Sequence, residues 1–536
     1  MKTQRTIAGL YELSHDAAES IQSSSIYNKD LAPTNIKKRN WDTYSMASLW
    51  IGMSISTAAW MLPSSLVAVG FSWWQAILTV ALGNLVVLIP IILNAHAGTK
   101  YGVPFPVFAR LSFGVRGANI AAIARAITGA GWFGIQCWLG SEALNTIIGM
   151  ASTAWAGWEY NSACAFIAFW ALNVYIVYRG PETIRFMEAW GSPLLIVLCG
   201  ALLVWSVEQV YAIGKGFDDI LASMPSNISD AEFWPTFLGG LMANIAFWAT
   251  LALNIPDFSR YAKNQGAQVK GQIIGLVPAM FGIAIIGTIV TGAVFVTTGK
   301  LVWDPVQVIA DSGNPLMIIL GAIGLVVATL TTNIAANAVA TSNDISNLNP
   351  KKISFRHASL ITGALGIIIM PWQLMSSAGA FVFGWLGTYG MVLGPLAGIF
   401  IADYYIHRKT KVDIIGLYND EKHGRYYYTS GVNIKAVAVW VVSAAPALLG
   451  KVVPALAPLA NVGWVLGFVL AIVLYSIVMS SESKSLLSDE ENEIITEFAE
   501  PVAEAAADPI DVLVAQNIAK PLEESTAVEE AKETTK

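Results

Sequence analysis

Hydroxyl and amide side chains stand inside the apolar stretch LVVATLTTNIAANAVA, which begins at residue 325. At about 100° per residue of an α-helix, Ala328, Thr331 and Thr332 fall on one side of such a helix. Asn333 and Asn337 then point to nearly the opposite side. Hydroxyl and carbonyl oxygens suit a small hard cation, whereas an amide suits a neutral hydrogen-bonding solute. The alternative is that these side chains form hydrogen bonds between helices, which are worth about 0.6 kcal/mol on average in membranes. Such bonds explain one threonine more easily than five polar residues, so we predict two kinds of partner for the two faces.

A second candidate pair lies in the stretch GWFGIQCWLG, where Trp132 and Gln136 stand at positions i and i+4. Residues at this spacing share one face of a helix. An indole stacks on a flat ring, and a primary amide both donates and accepts hydrogen bonds. The pair therefore suits a flat solute with amide edges. A packed tryptophan beside a glutamine that bonds a neighbouring helix is the structural alternative.

The composition places these residues in a membrane protein. The chain has 536 residues, of which 55% are hydrophobic and 13% charged, a balance typical of a protein that crosses the membrane many times. Each crossing needs about 20 largely apolar residues. We therefore predict an all-α integral membrane protein of twelve transmembrane helices. The predicted spans are 46–71, 73–94, 117–147, 161–178, 187–207, 235–256, 271–297, 314–341, 356–371, 376–402, 434–450 and 459–480.

Basic residues predict the orientation of the spans, because cytoplasmic loops carry an excess of Lys and Arg. With the N-terminus inside, the outer loops hold only Lys215, Lys300 and Lys451 of the 31 basic residues, and Arg125 falls in the third span. Both termini are then cytoplasmic, and the protein is expected in the cell membrane.

The ends of the chain differ in composition from its centre. Residues 1–45 are polar and are predicted to form a cytoplasmic N-terminal segment without a cleavable signal peptide. Residues 46–480 form the predicted transporter domain. Residues 481–536 are acidic and poor in aromatic side chains, which predicts a disordered cytoplasmic tail.

The first and sixth spans contain helix-interrupting residues. Span 1 holds Gly52, Ser56 and Pro63, and span 6 holds Asn254 and Pro256. Irregular backbone at membrane depth is tolerated where it lines a cavity, and matched interruptions in two halves of a transporter indicate a binding site. The distance between the spans fits a five-plus-five inverted repeat with two helices added. Ordinary proline kinks are the alternative.

Acidic residues are missing from the middle of every predicted span, and Glu142, Asp257, Asp344 and Asp403 lie at or near span ends. Proton-coupled carriers usually keep an intramembrane carboxylate or histidine. The absence favours a metal cation as the coupling ion, although protons carried on water or solute are an alternative. The histidines and the three cysteines form no ligand motif, so we expect no resident metal or cofactor.

The chain resembles the nucleobase:cation symporter-1 family over residues 28–479. Members of that family share the LeuT-type five-plus-five inverted-repeat fold, with helices 1 and 6 broken, and carry nucleobases, hydantoins, allantoin and related vitamins. The resemblance rests on the segments NKDLAPTNIKKRNW, NAHAGTKYGVPFPVFARLSFGVRGANI, GWFGIQCWLG, LNIPDFSRYAKN, ATLTTNIAAN and GPLAGIFIADYYIHRK.

A sodium–hydantoin transporter of that family implies roles for individual residues here. Where this transporter has a glutamine in helix 1 the chain has Ser56, and where it has a glycine in helix 6 the chain has Phe247, so the pocket is altered at both positions. The implied solute-binding residues are Trp132, Gln136, Trp248 and Asn337. The implied sodium ligands are the carbonyls of Gly52, Ile55 and Ala328 and the hydroxyls of Thr331 and Thr332.

These observations predict a secondary active importer of a flat, neutral ring such as uracil, allantoin or hydantoin, coupled to a cation, with sodium favoured. We expect the protein to work as a monomer in the lipid bilayer, without nucleic acid and without enzymatic activity. The alternatives are a proton-coupled cytosine, purine or vitamin permease of the same family, an amino-acid carrier of the same fold, and an intramembrane enzyme or a receptor that does not transport.

Overall fold

The computed structural model describes residues 4–7, 9–179, 181–481 and 495–497, with side chains described for 9–179 and 196–481. The predicted disordered tail, 481–536, lies almost wholly outside these residues. The first helices are α1 His15–Ser20, α2 Thr43–Ser54, α3 Thr57–Ala68, α4 Trp73–Tyr101, α5 Phe105–Phe113, α6 Ala118–Ala151, α7 Thr153–Ala156, α8 Asn161–Arg179, α9 Pro181–Ala212, α10 Phe217–Ala222, α11 Asp230–Phe247 and α12 Ala249–Asn254.

The remaining elements are mostly helical as well. The later α-helices are α13 Pro256–Ser259, α14 Gln265–Thr298, α15 Pro305–Ala310, α16 Pro315–Thr332, α17 Ala340–Leu348, α18 Phe355–Ile368, α19 Pro371–Leu374, α20 Gly387–Ile401, α21 Ile434–Leu449, α22 Ala457–Ala460 and α23 Gly463–Val478. The π-helices are Asn333–Val339, Ala380–Leu386 and Ala402–His407, and the 3-10 helices are Ile21–Ser23, Lys29–Leu31, Ile36–Lys38, Gly416–Tyr418 and Pro454–Leu456. The strands are β1 Gln4–Ile7, β2 Leu10–Leu13 and β3 Ile495–Glu497.

Helices occupy all twelve predicted spans. Five helical stretches in the described part of the chain are long and apolar enough to cross a membrane by themselves, and counting bent pairs as single spans gives up to seven. Several of the others are shorter or interrupted, whereas α6 has 34 residues but is less apolar.

The first broken helix is formed by α2 and α3, which meet at an angle of 53°. α2 ends at Ser54, Ile55 leaves the helical conformation with ψ at 79°, and the extended Ser56 caps α3 by accepting a hydrogen bond from Ala59 N. Pro63 lies within α3 and not at the break. The interruption is therefore a true break with an N-cap, and the proline-kink alternative for this span does not hold.

The sixth helix is interrupted more briefly. α11 ends at Phe247, Trp248 takes a non-helical backbone conformation (φ −100°, ψ 7°), and α12 begins at Ala249. Pro256 follows as the first residue of α13, a position that proline favours. Here too the break precedes the proline that the sequence singles out.

The eighth helix combines α16, the π-helix Asn333–Val339 and α17. A π-helix closes hydrogen bonds between residues five apart, so it turns less per residue than an α-helix. The sequence analysis assumed a uniform 100° per residue through this stretch, and that assumption fails at the π-helix.

The N-terminal segment packs against the helices. β1 and β2 pair as an antiparallel hairpin, and the buried Arg39 guanidinium donates hydrogen bonds to the carbonyls of Tyr11, Thr34 and Thr99. Burial lowers the pKa of Arg39 to about 10, although Glu12 partly opposes this shift. The segment is therefore anchored at the end of α4.

Candidate functional site

A cavity opens where both helix breaks, α6 and the π-helix meet. The space between its lining atoms, together with the mouth that opens to solvent, is about 310 Å³. Most of the predicted solute-binding side chains face one another across it. The lining residues are Met53, Ser56, Trp132, Gln136, Phe247, Trp248, Thr250, Leu251, Thr332, Ala336 and Asn337.

The indole N–H of Trp132 is bonded within the protein. Its indole Nε1 donates a hydrogen bond to Tyr389 Oη at 3.1 Å, and Tyr389 in turn donates to the carbonyl of Ala246 at 2.7 Å. Gly131 allows the close packing of Trp385 beside this ring, because a Cβ at position 131 would collide with the Trp385 indole. Since its only N–H is occupied, Trp132 offers a solute its aromatic surface.

Trp248 is satisfied in the same way. Its Nε1 donates to Asn84 Oδ1 at 2.8 Å, and its ring contacts Trp50 with a centroid distance of 5.2 Å. Phe247 stands nearly perpendicular to both tryptophans, with centroids 5.1 Å from Trp132 and 4.9 Å from Trp248. The two indoles and the phenyl ring thus form one aromatic cluster along the cavity.

Two amides provide the polar edge. Gln136 is 2% exposed, and its Oε1 is buried without a hydrogen-bond partner among the described residues. Asn337 donates from Nδ2 to Asn333 Oδ1 at 3.1 Å. A buried acceptor without a partner costs roughly 1–3 kcal/mol, so the Gln136 oxygen indicates that a donor on a solute belongs there.

Oxygen atoms without formal charge gather beside the cavity at the first break. Thr332 Oγ1 lies 3.5 Å from the Gly52 carbonyl oxygen, and Thr331 Oγ1 donates to the Ala328 carbonyl at 3.0 Å. The Gly52 carbonyl loses its usual helical donor because Ser56 N bonds Ser54 instead. Of the predicted sodium ligands, Thr332 and Gly52 are therefore brought together between α16 and α2, whereas the Thr331 hydroxyl bonds within its own helix.

The Ile55 carbonyl is released by the same break. Its helical donor would be Ala59 N, but that group donates to the Ser56 hydroxyl at 3.3 Å. Within the described residues no group of three His, Cys, Asp or Glu could hold a metal. A cation here would be coordinated by neutral oxygens, which bind sodium weakly and reversibly, as a transported ion requires.

The two polar faces predicted for the eighth helix are not opposite each other. Thr332 and Asn337 both line the cavity. The π-helix lies between them, and residues five apart lie on nearly the same side of a π-helix. Asn333, by contrast, turns away and donates to the carbonyl of Phe133 at 3.2 Å. The ion side and the solute side of the site are therefore neighbours.

Several residues of the site escape sequence reasoning. Met53, Thr250, Leu251 and Ala336 complete the lining, and their types alone carry no chemical signal. Asn84, which holds Trp248, is an amide within the otherwise nonpolar stretch 80–93 of α4, and that position is a signal that could have found it.

Buried charges lie next to the cavity. Arg125 and Asp344 form an ion pair at 3.3 Å with both side chains fully buried, and Arg125 also donates to Asn254 Oδ1 and to the carbonyl of Ala336. The sequence placed this carboxylate at the end of a span, whereas the fold buries it. Arg125 and Asp344 therefore form a buried, hydrogen-bonded pair that joins α6 to α17.

Comparisons with known proteins agree with this architecture. A sequence profile described as "Permease for cytosine/purines, uracil, thiamine, allantoin" matches residues 33–467. A purine-uracil permease NCS1 from Arabidopsis thaliana is 40% identical and covers 87% of this chain and 80% of its own length. An allantoin permease from Bacillus subtilis (strain 168) is 37% identical and covers 88% of this chain and 96% of its own length.

Among solved structures, the fold is similar to that of Mhp1, a nucleobase-cation-symport-1 family transporter, in a closed conformation with bromovinylhydantoin bound. The TM-score is 0.72 at 26% identity, and the match covers 88% of this chain and 99% of the other. The predicted fold, an all-α LeuT-type transporter with helices 1 and 6 broken, is confirmed.

Proposed function

Because the chain belongs to the family of permeases for cytosine/purines, uracil, thiamine and allantoin, and is thus a multi-pass membrane transporter and not an enzyme, we propose that it imports a neutral ring solute together with a cation. Uracil, allantoin and hydantoin are the favoured solutes, and sodium is the favoured ion. We also propose that the monomer is the working unit. The distribution of basic residues supports cytoplasmic termini.

The observation that carries the proposal is the unpartnered Oε1 of Gln136 beside aromatic rings whose own N–H groups are occupied. A flat ring can lie against Trp132 and Trp248 while its N–H groups reach the amides. Stacking of a base on an aromatic side chain contributes roughly 1–3 kcal/mol. The cavity offers no charged side chain among its described lining residues, which fits a neutral solute.

Phe247 favours a small solute. Its ring contacts both tryptophans and so fills part of the aromatic surface. A single five- or six-membered ring fits the remaining space better than a fused purine. Because one relative is named for purine-uracil transport and another for allantoin transport, fused rings and single rings should both be tested. We propose that the solute is a single ring.

Sodium is supported by the neutral oxygens at the first break. The ion would bridge α2 and α16, and its binding would favour the solute-competent arrangement of these helices. The effect must be reciprocal, because coupling between two binding sites is a shared free energy.

A binding screen tests solute and ion together. Thermal stability of the purified protein would be measured with uracil, hydantoin, allantoin, adenine and free amino acids, each with sodium or with choline in its place. We expect stabilisation by single-ring solutes, strengthened by sodium. Stabilisation by amino acids alone would support the rival amino-acid carrier.

Transport itself needs a second assay. Counterflow of labelled uracil or allantoin in proteoliposomes should be measured with sodium at fixed pH, then with a pH gradient without sodium. Uptake that ignores sodium and follows the proton gradient would contradict sodium coupling. Binding without counterflow would instead indicate a receptor.

A further inference from the structure

Three asparagine amides form a continuous hydrogen-bonded row behind the cavity. Asn173 of α8 donates from Nδ2 to the carbonyl of Phe169 at 2.8 Å. Asn333 donates from Nδ2 to Asn173 Oδ1 at 3.1 Å. Asn337 donates from Nδ2 to Asn333 Oδ1 at 3.1 Å and reaches the cavity. Every link runs in the same sense, from nitrogen to oxygen and away from the cavity.

The direction of the row is fixed by main-chain carbonyls, which can only accept. The carbonyl of Phe169 forces the nitrogen of Asn173 toward itself. The carbonyl of Phe133 likewise holds the nitrogen of Asn333, at 3.2 Å. Turning either amide over would place two oxygens in contact and leave a buried N–H without an acceptor.

The consequence reaches the solute through Asn337. Because Asn333 presents an oxygen, Asn337 must answer with its nitrogen, and its own Oδ1 is turned to the opposite side of the amide, where the cavity lies. No donor among the described side chains bonds this oxygen. Gln136 Oε1 is a second acceptor without a partner at the same cavity.

We propose that the amide row Asn173–Asn333–Asn337 fixes the hydrogen-bond polarity of the site, so that it selects ring solutes bearing N–H donors over those bearing bare ring nitrogens. This inference rests on the proposed function and deepens it. Asn173 and Asn333 are positioning residues: they act on the solute only through Asn337. Lactam and imide rings satisfy two acceptors, whereas a ring nitrogen with a lone pair would face an oxygen.

The test compares solutes that differ in one ring nitrogen. Dissociation constants would be measured by competition for uracil, cytosine, 1-methyluracil and 3-methyluracil. Loss of the N–H that faces Asn337 should weaken binding to the wild type at least about tenfold, since a site built to pair a polar group rejects analogues that lack it. Cytosine lacks a ring N–H without carrying a methyl group, so its affinity separates the loss of the donor from the bulk of the methyl group.

The variants decide what sets this discrimination. Asn333→Leu keeps a similar side-chain volume but frees the Asn337 amide to turn. The ratio of the dissociation constants of the analogue and of uracil should therefore fall to about threefold or less, while uracil still binds. Asn173→Leu should lower the ratio in the same direction but less. Asn244→Leu is the matched control, because Asn244 makes the same bond to the carbonyl four residues earlier, at 2.9 Å, outside the row.

Each outcome bears on the proposal. An unchanged ratio in Asn333→Leu, with all affinities lowered equally, would overturn it, and so would an equal fall of the ratio in Asn244→Leu. If Asn333→Leu does not fold, Asn173→Leu carries the test by the same criterion. A wild type that binds none of these rings would overturn the proposed function, and this inference with it.

Discussion

At Ile55 the first helix bends by 53° before it resumes, whereas at Trp248 the sixth helix is interrupted by one residue and continues at Ala249. The first break leaves main-chain oxygens without helical donors, among them that of Gly52. At the sixth break the Ala246 carbonyl is taken by the hydroxyl of Tyr389.

The side chains around the two breaks differ as well: oxygen atoms lie beside the first break and aromatic rings beside the second. Beside the first lies the hydroxyl of Thr332, 3.5 Å from the carbonyl oxygen of Gly52. Beside the second lie Phe247 and Trp248, and the indole N–H is already bound by Asn84. Equivalent positions of an inverted repeat thus offer oxygen ligands in one half and ring surfaces in the other.

The largest effect should come from Gln136, whose Oε1 is the acceptor that we propose for a solute N–H. Gln136→Leu keeps a similar side-chain volume and removes this acceptor. We expect solute affinity to fall at least about 100-fold, as in sites where a hydrogen-bonding partner is missing. Equilibrium binding of the labelled solute measures this, with Gln268→Leu, which replaces a buried amide in α14, as the control. Near wild-type affinity would remove Gln136 from the site.

The next effect tests the aromatic break alone. Trp248→Ala should weaken solute binding by about 10- to 100-fold, corresponding to the roughly 1–3 kcal/mol of one stacking contact. Half-saturation by sodium, measured at saturating solute, should change little. Trp464→Ala removes a buried indole from α23, away from the cavity, and should lower stability without a selective loss of affinity. A parallel shift of both constants in Trp248→Ala would contradict the division between the breaks.

The oxygen-rich break should show a smaller effect. Thr332→Val keeps the side-chain shape and removes one oxygen, so sodium should lose most of its several-fold stimulation of solute binding while basal binding changes little. Solute affinity against sodium concentration at fixed pH gives the result. Thr329→Val is the matched control, because Thr329 bonds Thr57 and lies outside the cavity lining. Equal responses of the two variants would make these hydroxyls contacts between helices.

The smallest effect concerns α15, which packs against α3, the second half of the first broken helix. Burial raises the pKa of Asp304 to about 6, against the effect of its hydrogen bonds from Val306 N and Gln307 N. Because the folded protein holds this proton more tightly, the contribution to stability is complete below about pH 4 and is lost as the pH rises through 6.

Asp304→Asn keeps the helix cap and removes the charge. Its melting temperature should match that of the wild type near pH 4 and exceed it by a few degrees at pH 7. Asp311→Asn, at an exposed position in the same loop, should show no such divergence. Parallel melting curves for wild type and Asp304→Asn across this range would exclude a role for the buried carboxyl.

The sequence predicts much of this asymmetry. Trp132, Gln136 and Asn337 are found from their types and spacing, and the two broken helices from glycine, serine and proline content. The breaks themselves fall at Ile55 and Trp248, before the prolines, because capping by Ser56 and the packing of aromatic rings decide where a helix can end. The Ser56 cap is local, three residues from Ala59, but the rings that pack at the sixth break, Trp50 and Trp132, come from distant parts of the chain, and no local pattern contains them.

Two further features lie beyond a helical wheel. The π-helix Asn333–Val339 changes the angular spacing without any compositional sign, which is why Thr332 and Asn337 are neighbours and not opposites. The burial of Asp344 depends on Arg125, more than 200 positions earlier in the chain. Its position near a span end gives no sign of this burial.

The π-helix amounts to one surplus residue in the eighth helix. Before it, Thr332 has to face Gly52, and after it, Asp344 has to meet Arg125. Deleting one residue from 333–339 would rotate one end against the other by about 100°, so only one of these contacts could be kept. The extra residue sets the rotation of one end of the helix relative to the other, so that both contacts form in one continuous helix. An insertion or deletion on this helix would therefore have to be balanced by a second one of opposite sign.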